Sequence, residues 1–261
     1  MEKITIIGSG WLGLSLAKQL QESGYDVLAS FRNNVTKFNL YQENINSIKL
    51  DLNINNMPDE IFYRDILCIL IPPSKNDDYL QIMKKISHNP KIKNLKQIIF
   101  ISSTSVYEDS QSPKDESSLI KEDHIIAQTE KLFENLQNIC ILRLAGLMGE
   151  NRYLSKYYKE VVENSKTIVN HIHKDDVVGI IEKIISENLH GTYNICAPLH
   201  PTRQDVIEEQ CRVLNKKEPK FIAGNNQKAK ILTSKIDKKI FYMYKYPNPI
   251  YFPLIKNQDV F

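Results

Sequence analysis

A chain of 261 residues, 42% hydrophobic and 25% charged, carries enough apolar material for one large domain or a domain with a small lobe, which excludes a disordered chain. Its 34 basic and 31 acidic residues leave a formal net charge of +3, too balanced for a nucleic-acid or membrane-surface protein. No apolar run approaches the ~20 residues that cross a bilayer. Cys68, Cys140, Cys196 and Cys211 show no Cys-x-x-Cys spacing, so the expectation is a cytoplasmic protein with buried, reduced thiols.

In chain order, residues 3–8 read as a β-branched strand and 12–23 as a helix with Leu12, Leu16 and Leu20 on one face. Strands follow at 25–31 and 47–52. The run 66–71 (ILCILI) is a buried strand that stops at Pro72 and Pro73, 77–87 is an amphipathic helix, and 97–102 is another buried strand. Helix 118–136, strand 139–144, helix 154–164, short strand 167–171, helix 175–187, strand 192–197 and helix 203–214 continue the alternation. From residue 235 the tail is aromatic and proline-rich, with Tyr242, Tyr244, Tyr246, Pro247 and Pro249. Near-continuous apolar strands separated by helices imply a parallel sheet covered on both faces. Connection rules then give an α/β fold, a doubly wound parallel Rossmann sheet with a small C-terminal substrate lobe. The expected division is a Rossmann domain over 1–150 and a C-terminal lobe over 151–261, with strand 192–197 returning to the Rossmann sheet.

Gly8, Gly10 and Gly13 form Gly-x-Gly-x-x-Gly directly after the first strand and directly before the first helix. Gly8 permits the tight turn, Gly10 lets a pyrophosphate approach the backbone, and Gly13 lets the helix pack on the strand. The amides around Trp11 and Leu12 point at the anion, aided by the helix dipole. The expected ligand is a nicotinamide dinucleotide. The second strand ends in Arg32 where a free ribose 2′-hydroxyl would ask for an acid, which favours NADP over NAD. Asp51 and Leu52, closing the third strand, are the candidates to border the adenine.

Four blocks together resemble the extended short-chain dehydrogenase/reductases of the NAD-dependent epimerase/dehydratase superfamily: IIGSGWLGLSLAKQL, FISSTSVY, ICILRLAGLMG and IHKDDVVGII, followed by GTYNICAP. The Gly-x-Gly-x-x-Gly pattern and short length are most similar to its atypical members. The resemblance implies that Ser103, three residues before Val106, polarises the substrate's carbonyl or hydroxyl. It also implies a Tyr-x-x-x-Lys pair for proton transfer, and here the chain departs from the pattern. No tyrosine lies between Tyr107 and Tyr153, and none of the 13 tyrosines has a lysine four positions on. With Glu130 matched to the glutamate that follows the lysine, Glu122 and Ile126 occupy the two slots. Glu122 and His124 are the nearest titratable candidates for a substitute relay.

Two functions therefore stand side by side. One is an NAD(P)-dependent oxidoreductase or epimerase acting on a hydroxyl or carbonyl compound, a sugar nucleotide by family analogy. The other is a non-catalytic NAD(P)-binding regulator or interaction protein. The expected partner is a small-molecule substrate, with no nucleic acid, membrane or metal, in a monomer or homodimer. His171, His173, Asp175 and Asp176 have metal-ligand chemistry, but the resemblance makes this block a structural turn in which Asp175 caps a helix. Arg143, in an apolar strand, requires an acidic or carbonyl partner.

Overall fold

The computed structural model describes residues 1–52, 57–73, 78–108, 112–224 and 231–254. The chain forms two compact units that interleave in sequence, so no single cut near residue 150 separates them. The first comprises Met1–Val106, Ile120–Arg143 and Ile180–Tyr193, and the second Tyr107–Leu119, Leu144–Gly179 and Asn194–Phe261.

The main sheet takes seven strands: β1 (Lys3–Ile7), β2 (Asp26–Phe31), β3 (Asn46–Lys49), β4 (Ile66–Ile69), β5 (Gln97–Ser103), β6 (Ile139–Leu144) and β10 (Gly191–Ile195), in the order β10-β6-β5-β4-β1-β2-β3. The pairings β1 with β2, β1 with β4, β2 with β3 and β4 with β5 are parallel. Strand order reverses at β1, whose neighbours are β2 and β4, and such a switch point opens a crevice at the strands' carboxyl ends. Every residue of β4 and β6 is buried, as expected of strands covered on both faces. One side of the sheet packs Ile7, Leu67, Ile69 and Phe100 against Ile82, Met83, Ile86 and Phe133. Burial of each such side chain contributes about 1.5–3 kcal/mol.

The helices of the first unit include α1 (Trp11–Glu22), α2 (Asn34–Gln42), α3 (Tyr79–Ser87) and α4 (Ile125–Lys131). Helix α3 is two residues shorter than expected, and Asp77 lies outside the described residues. Helix α4 replaces the expected helix 118–136 with seven residues. Upstream of it, the Asp115 carboxylate accepts the Ser117 amide (2.9 Å) and hydroxyl (2.6 Å), the kind of local bond that competes with helix. Downstream, the Phe133 and Leu136 amides donate to Glu130 and Phe133, tightening the chain into i→i−3 turns.

The second unit contains β7 (Gly146–Met148), β8 (Val161–Val162), β9 (His171–His173), the start of α5 (Lys174–Ser186) as far as Gly179, α6 (Arg203–Leu214) and β11 (Lys220–Phe221). The expected helix 154–164 does not form. Only a 3-10 turn at Leu154–Lys156 survives, because the Ser155 amide donates to Gln210 Oε1 (2.8 Å) and Val161–Val162 pairs with Lys220–Phe221. The strand expected over 167–171 begins instead at His171, beside Gly146 of β7. At the centre of this unit Asn194 gathers distant segments. Its side chain accepts from the Tyr107 hydroxyl (2.7 Å) and donates to the Thr233 carbonyl (2.9 Å), and its amide donates to Glu116 (2.9 Å).

Candidate cofactor and active site

The first unit builds a loop between β1 and α1. Gly8 has φ +101°, and a Cβ there would lie 2.7 Å from the Leu70 carbonyl oxygen. A Cβ on Gly13 would lie 2.2 Å from the Gly8 carbonyl oxygen, so α1 rests directly on the turn. Gly10 is the opposite case: nothing lies within 4 Å of its added Cβ. Gly8 and Gly13 are closed by backbone, and Gly10 faces open space. That is the shape a diphosphate requires. No side chain caps α1 and no acidic residue stands in its first turn, which leaves the positive end of the helix dipole uncompensated. The hydroxyl of Ser9, between the glycines, is buried and has no hydrogen-bond partner among the described residues. These residues fit a dinucleotide.

The ends of β1, β2 and β3 lie side by side. The Gly8 amide donates to the hydroxyl of Ser30 near the end of β2 (3.1 Å), and the Leu50 amide donates to the Phe31 carbonyl (2.9 Å). Arg32 follows as an exposed residue, and Asp51 and Leu52 are half-buried next to it in the sheet order. The next residue, Asn33, caps α2 by accepting the Thr36 amide (2.9 Å). Trp11 and Leu12 open α1, half-buried. Ser30 was not among the sequence candidates. The signal was a hydroxyl inside the apolar strand DVLASF, in register with the glycine turn of its neighbour.

The three catalytic candidates are not joined. Ser103 ends β5, and its hydroxyl accepts the Ser105 amide at 3.2 Å. The Glu122 side chain is 80% exposed and pairs with Lys131 at 3.5 Å. His124 is the N-cap of α4, its Nδ1 accepting the Ile126 amide at 3.3 Å. Glu122, expected within a helix over 118–136, thus lies outside α4. No hydrogen bond or ion pair links any two of Ser103, Glu122 and His124 among the described residues.

Behind Ser103 is a buried polar cluster. Arg143 of β6 makes a two-pronged pair with Glu130 of α4, Nη2 to Oε2 at 2.6 Å and Nε to Oε1 at 3.0 Å, and the Ser102 hydroxyl donates to Oε1 at 2.5 Å. The acidic partner that Arg143 requires is therefore Glu130, and the pair ties α4, β5 and β6 together. Breaking one partner of such a pair costs about 3–5 kcal/mol.

In the second unit His171 and His173 lie in β9 against glycines. A Cβ on Gly146 would meet His171 Cδ2 at 2.3 Å, and one on Gly149 would meet His173 Nε2 at 2.8 Å. Burial, with Arg203 nearby, pushes the His171 imidazole down to about 4. Burial also lowers that of His173. The Asp175 amide at the start of α5 donates to His173 Nδ1 (3.2 Å), so the imidazole rather than the Asp175 carboxylate serves that helix end. Asp176 is fully buried and accepts from the Tyr242 hydroxyl (3.0 Å) and the Lys245 and Tyr246 amides (2.7 and 3.0 Å). Among the described residues no group of three or more His, Cys, Asp or Glu is arranged to hold a metal ion, and no helix is long and apolar enough to cross a membrane.

No family model matches the sequence. Over 273 aligned positions it is 30% identical to protein YeeZ of Escherichia coli (strain K12), an alignment covering 97% of this chain and 100% of that protein. Among solved structures, a functionally unknown conserved protein from Silicibacter pomeroyi superposes with a TM-score of 0.79 at 17% identity, over 96% of each chain. UDP-glucuronic acid 4-epimerase from Bacillus cereus in complex with NAD superposes with a TM-score of 0.76 at 16% identity, over 95% of each chain.

Proposed function

The chain belongs to the family of Escherichia coli protein YeeZ and has the fold of the extended short-chain dehydrogenase/reductases, and from that premise we propose that it binds NADP and acts as an oxidoreductase or epimerase. The substrate in this reading is a small hydroxyl or carbonyl compound, with a sugar nucleotide as first choice because the NAD-bound neighbour acts on one. The observation that carries the reading is the contrast among the loop glycines, Gly8 and Gly13 closed by backbone and Gly10 open. Trp11, Leu12 and Gly13 would hold the diphosphate through their amides, Arg32 the 2′-phosphate, and Asp51 and Leu52 the adenine side. When bound, the nicotinamide supplies hydride transfer. Ser103 would polarise the substrate oxygen, and Glu122 and His124 would carry the proton. A cytoplasmic location belongs to the same reading, supported by four buried, unbridged cysteines.

The test uses the single tryptophan, Trp11, which lies in the loop. Titration of the protein with NADPH should quench its fluorescence saturably. Arg32→Ala should weaken NADPH by about tenfold while leaving NADH unchanged. Equal loss for both would remove the 2′-phosphate role, and indifference to both nucleotides would remove the function.

A second reading, a non-catalytic dinucleotide-binding regulator, is favoured by one observation. The Nδ1 of His124 is occupied as a helix cap and Glu122 is turned to Lys131, so neither is free in the manner of a proton relay. Tight NADPH binding with no turnover of UDP-glucuronic acid, UDP-N-acetylglucosamine or simple ketones would select it.

A further inference from the structure

We propose that a hollow in the first unit, at the opposite end of the strands from the glycine turn, binds an α-amino acid with an apolar side chain. The hollow holds about 390 Å³, within the range of small-molecule sites, and is walled by β1, β2, β3 and the segment 59–64. Lys3 opens β1 and Gly8 follows its end, about 16 Å away along the strand. Alternation and register set the floor. Lys3 pairs with Asp26, Thr5 with Leu28 and Ser30 with Ile48, so Lys3, Leu28 and Ile48 turn to one face of the sheet. On β4 and β5 that face is covered by α3, through Ile82, Met83 and Ile86. On β2 and β3, Leu28 and Ile48 stay half-buried and form an apolar floor open to the hollow.

The rim carries both signs of charge. The Lys3 ammonium and the Glu60 carboxylate are exposed and have no hydrogen-bond or ion-pair partner among the described residues. Arg64 is pinned, its Nη1 donating to the Asp26 carbonyl (2.9 Å) and pairing with the Asp26 carboxylate (3.0 Å). Its other nitrogens have no partner among the described residues. Tyr63 supplies an aromatic wall. Its hydroxyl accepts from the Lys91 ammonium (2.9 Å), which also lies 4.4 Å from the ring centroid and holds the ring in place.

Charge and shape together select the ligand. An anion alone would meet Lys3 and Arg64 but leave Glu60 repelling it, and a cation alone would meet Glu60 but face both basic groups. A zwitterion satisfies all three, its carboxylate on Lys3 and Arg64 and its ammonium on Glu60. An apolar side chain then covers Leu28 and Ile48 beside the Tyr63 ring. No residue of the glycine turn lines this hollow, so the site stands apart from the dinucleotide reading.

The probe is L-phenylalanine, titrated into the full chain by calorimetry with no dinucleotide present. Saturable binding is expected. Phenylpropionate, which lacks the ammonium, and phenethylamine, which lacks the carboxylate, should each bind at least about tenfold more weakly. Lys3→Gln and Glu60→Gln should each weaken phenylalanine several-fold. Both side chains are exposed, and circular dichroism and melting should match the parent. Glu60→Gln should also remove most of the preference for phenylalanine over phenylpropionate, which a general loss of stability would not do. Absence of saturable binding, equal affinity for either truncated analogue, or indifference to either substitution overturns the proposal.

Discussion

In the first unit Gly8 and Gly13 are small so that backbone can pass backbone; in the second, Gly146 and Gly149 are small so that imidazole rings can lie against them. The neighbour an added methyl would strike is a carbonyl oxygen in one place and a side chain in the other. A peptide group held in a sheet and a helix cannot move aside without moving both elements. A ring can turn, or be cut back by mutation. The same residue type is thus irreplaceable for a geometric reason in the loop and for a packing reason in β7. Only the loop leaves a third glycine, Gly10, facing nothing.

The largest expected effect tests the backbone half of this contrast. Gly13→Ala should cost about 3 kcal/mol or more in urea unfolding, with loss of NADPH binding, and no second substitution among side chains should restore it. A variant as stable as the parent would show that α1 can lift off the turn.

The next effect belongs to the rings. An unfolded imidazole titrates near 6.5 and that of His171 near 4, so the stability gained by burying it neutral is full above pH 6.5 and is lost as pH falls toward 4. The slope is about 1.4 kcal/mol per pH unit, about 3 kcal/mol in all. Urea midpoints between pH 7.5 and 4.5 should show it, and His171→Asn should flatten it. A slope unchanged in that variant would place the titration elsewhere.

Gly146→Ala should cost about 1–3 kcal/mol, and adding His171→Ala should return part of that loss, a positive coupling that Gly13→Ala lacks. Simple additivity in this double-mutant cycle would erase the distinction between the two pairs. Ser30→Ala, which frees the Gly8 amide, should cost about 1 kcal/mol and weaken NADPH several-fold, and Ser30→Thr should recover the affinity. Smallest in stability is Gly10→Ala, under about 0.5 kcal/mol by unfolding because its methyl meets nothing, yet with NADPH binding weakened by about tenfold where the diphosphate would lie. Stability and affinity falling together at Gly10 would mean that the loop opening is not a binding surface.

The parts legible in the sequence are those in which one residue type has one physical reason. Strands buried on both faces leave unbroken runs such as ILCILI and ICILRL, and the three glycines mark their turn by spacing alone. Arg143 announced a need for an acid, although only the folded chain shows that Glu130 supplies it. Helix α2 was invisible because Val35, Phe38 and Tyr41 face solvent and only Leu40 is buried, so no apolar stripe marks it. The expected helix at 154–164 failed because its contacts come from far along the chain, Gln210 for Ser155 and β11 for β8. Ser30 was hidden for the same cause. Its role depends on which turn the register of β1 and β2 sets beside it.

The node at Asn194 has a consequence in time. Tyr107 and Glu116 can satisfy it only after 78 further residues and more have been made, and Thr233 comes later still. Strands β1 to β5 can pair while that chain is still being synthesised, since the N-terminal part emerges first. The segment Tyr107–Leu119 must instead wait, its polar groups met by water, until the loop to Asn194 can close. The Asn194 node is therefore closed late, and it is a place where a slowed or truncated synthesis leaves buried hydrogen-bonding groups without their partners.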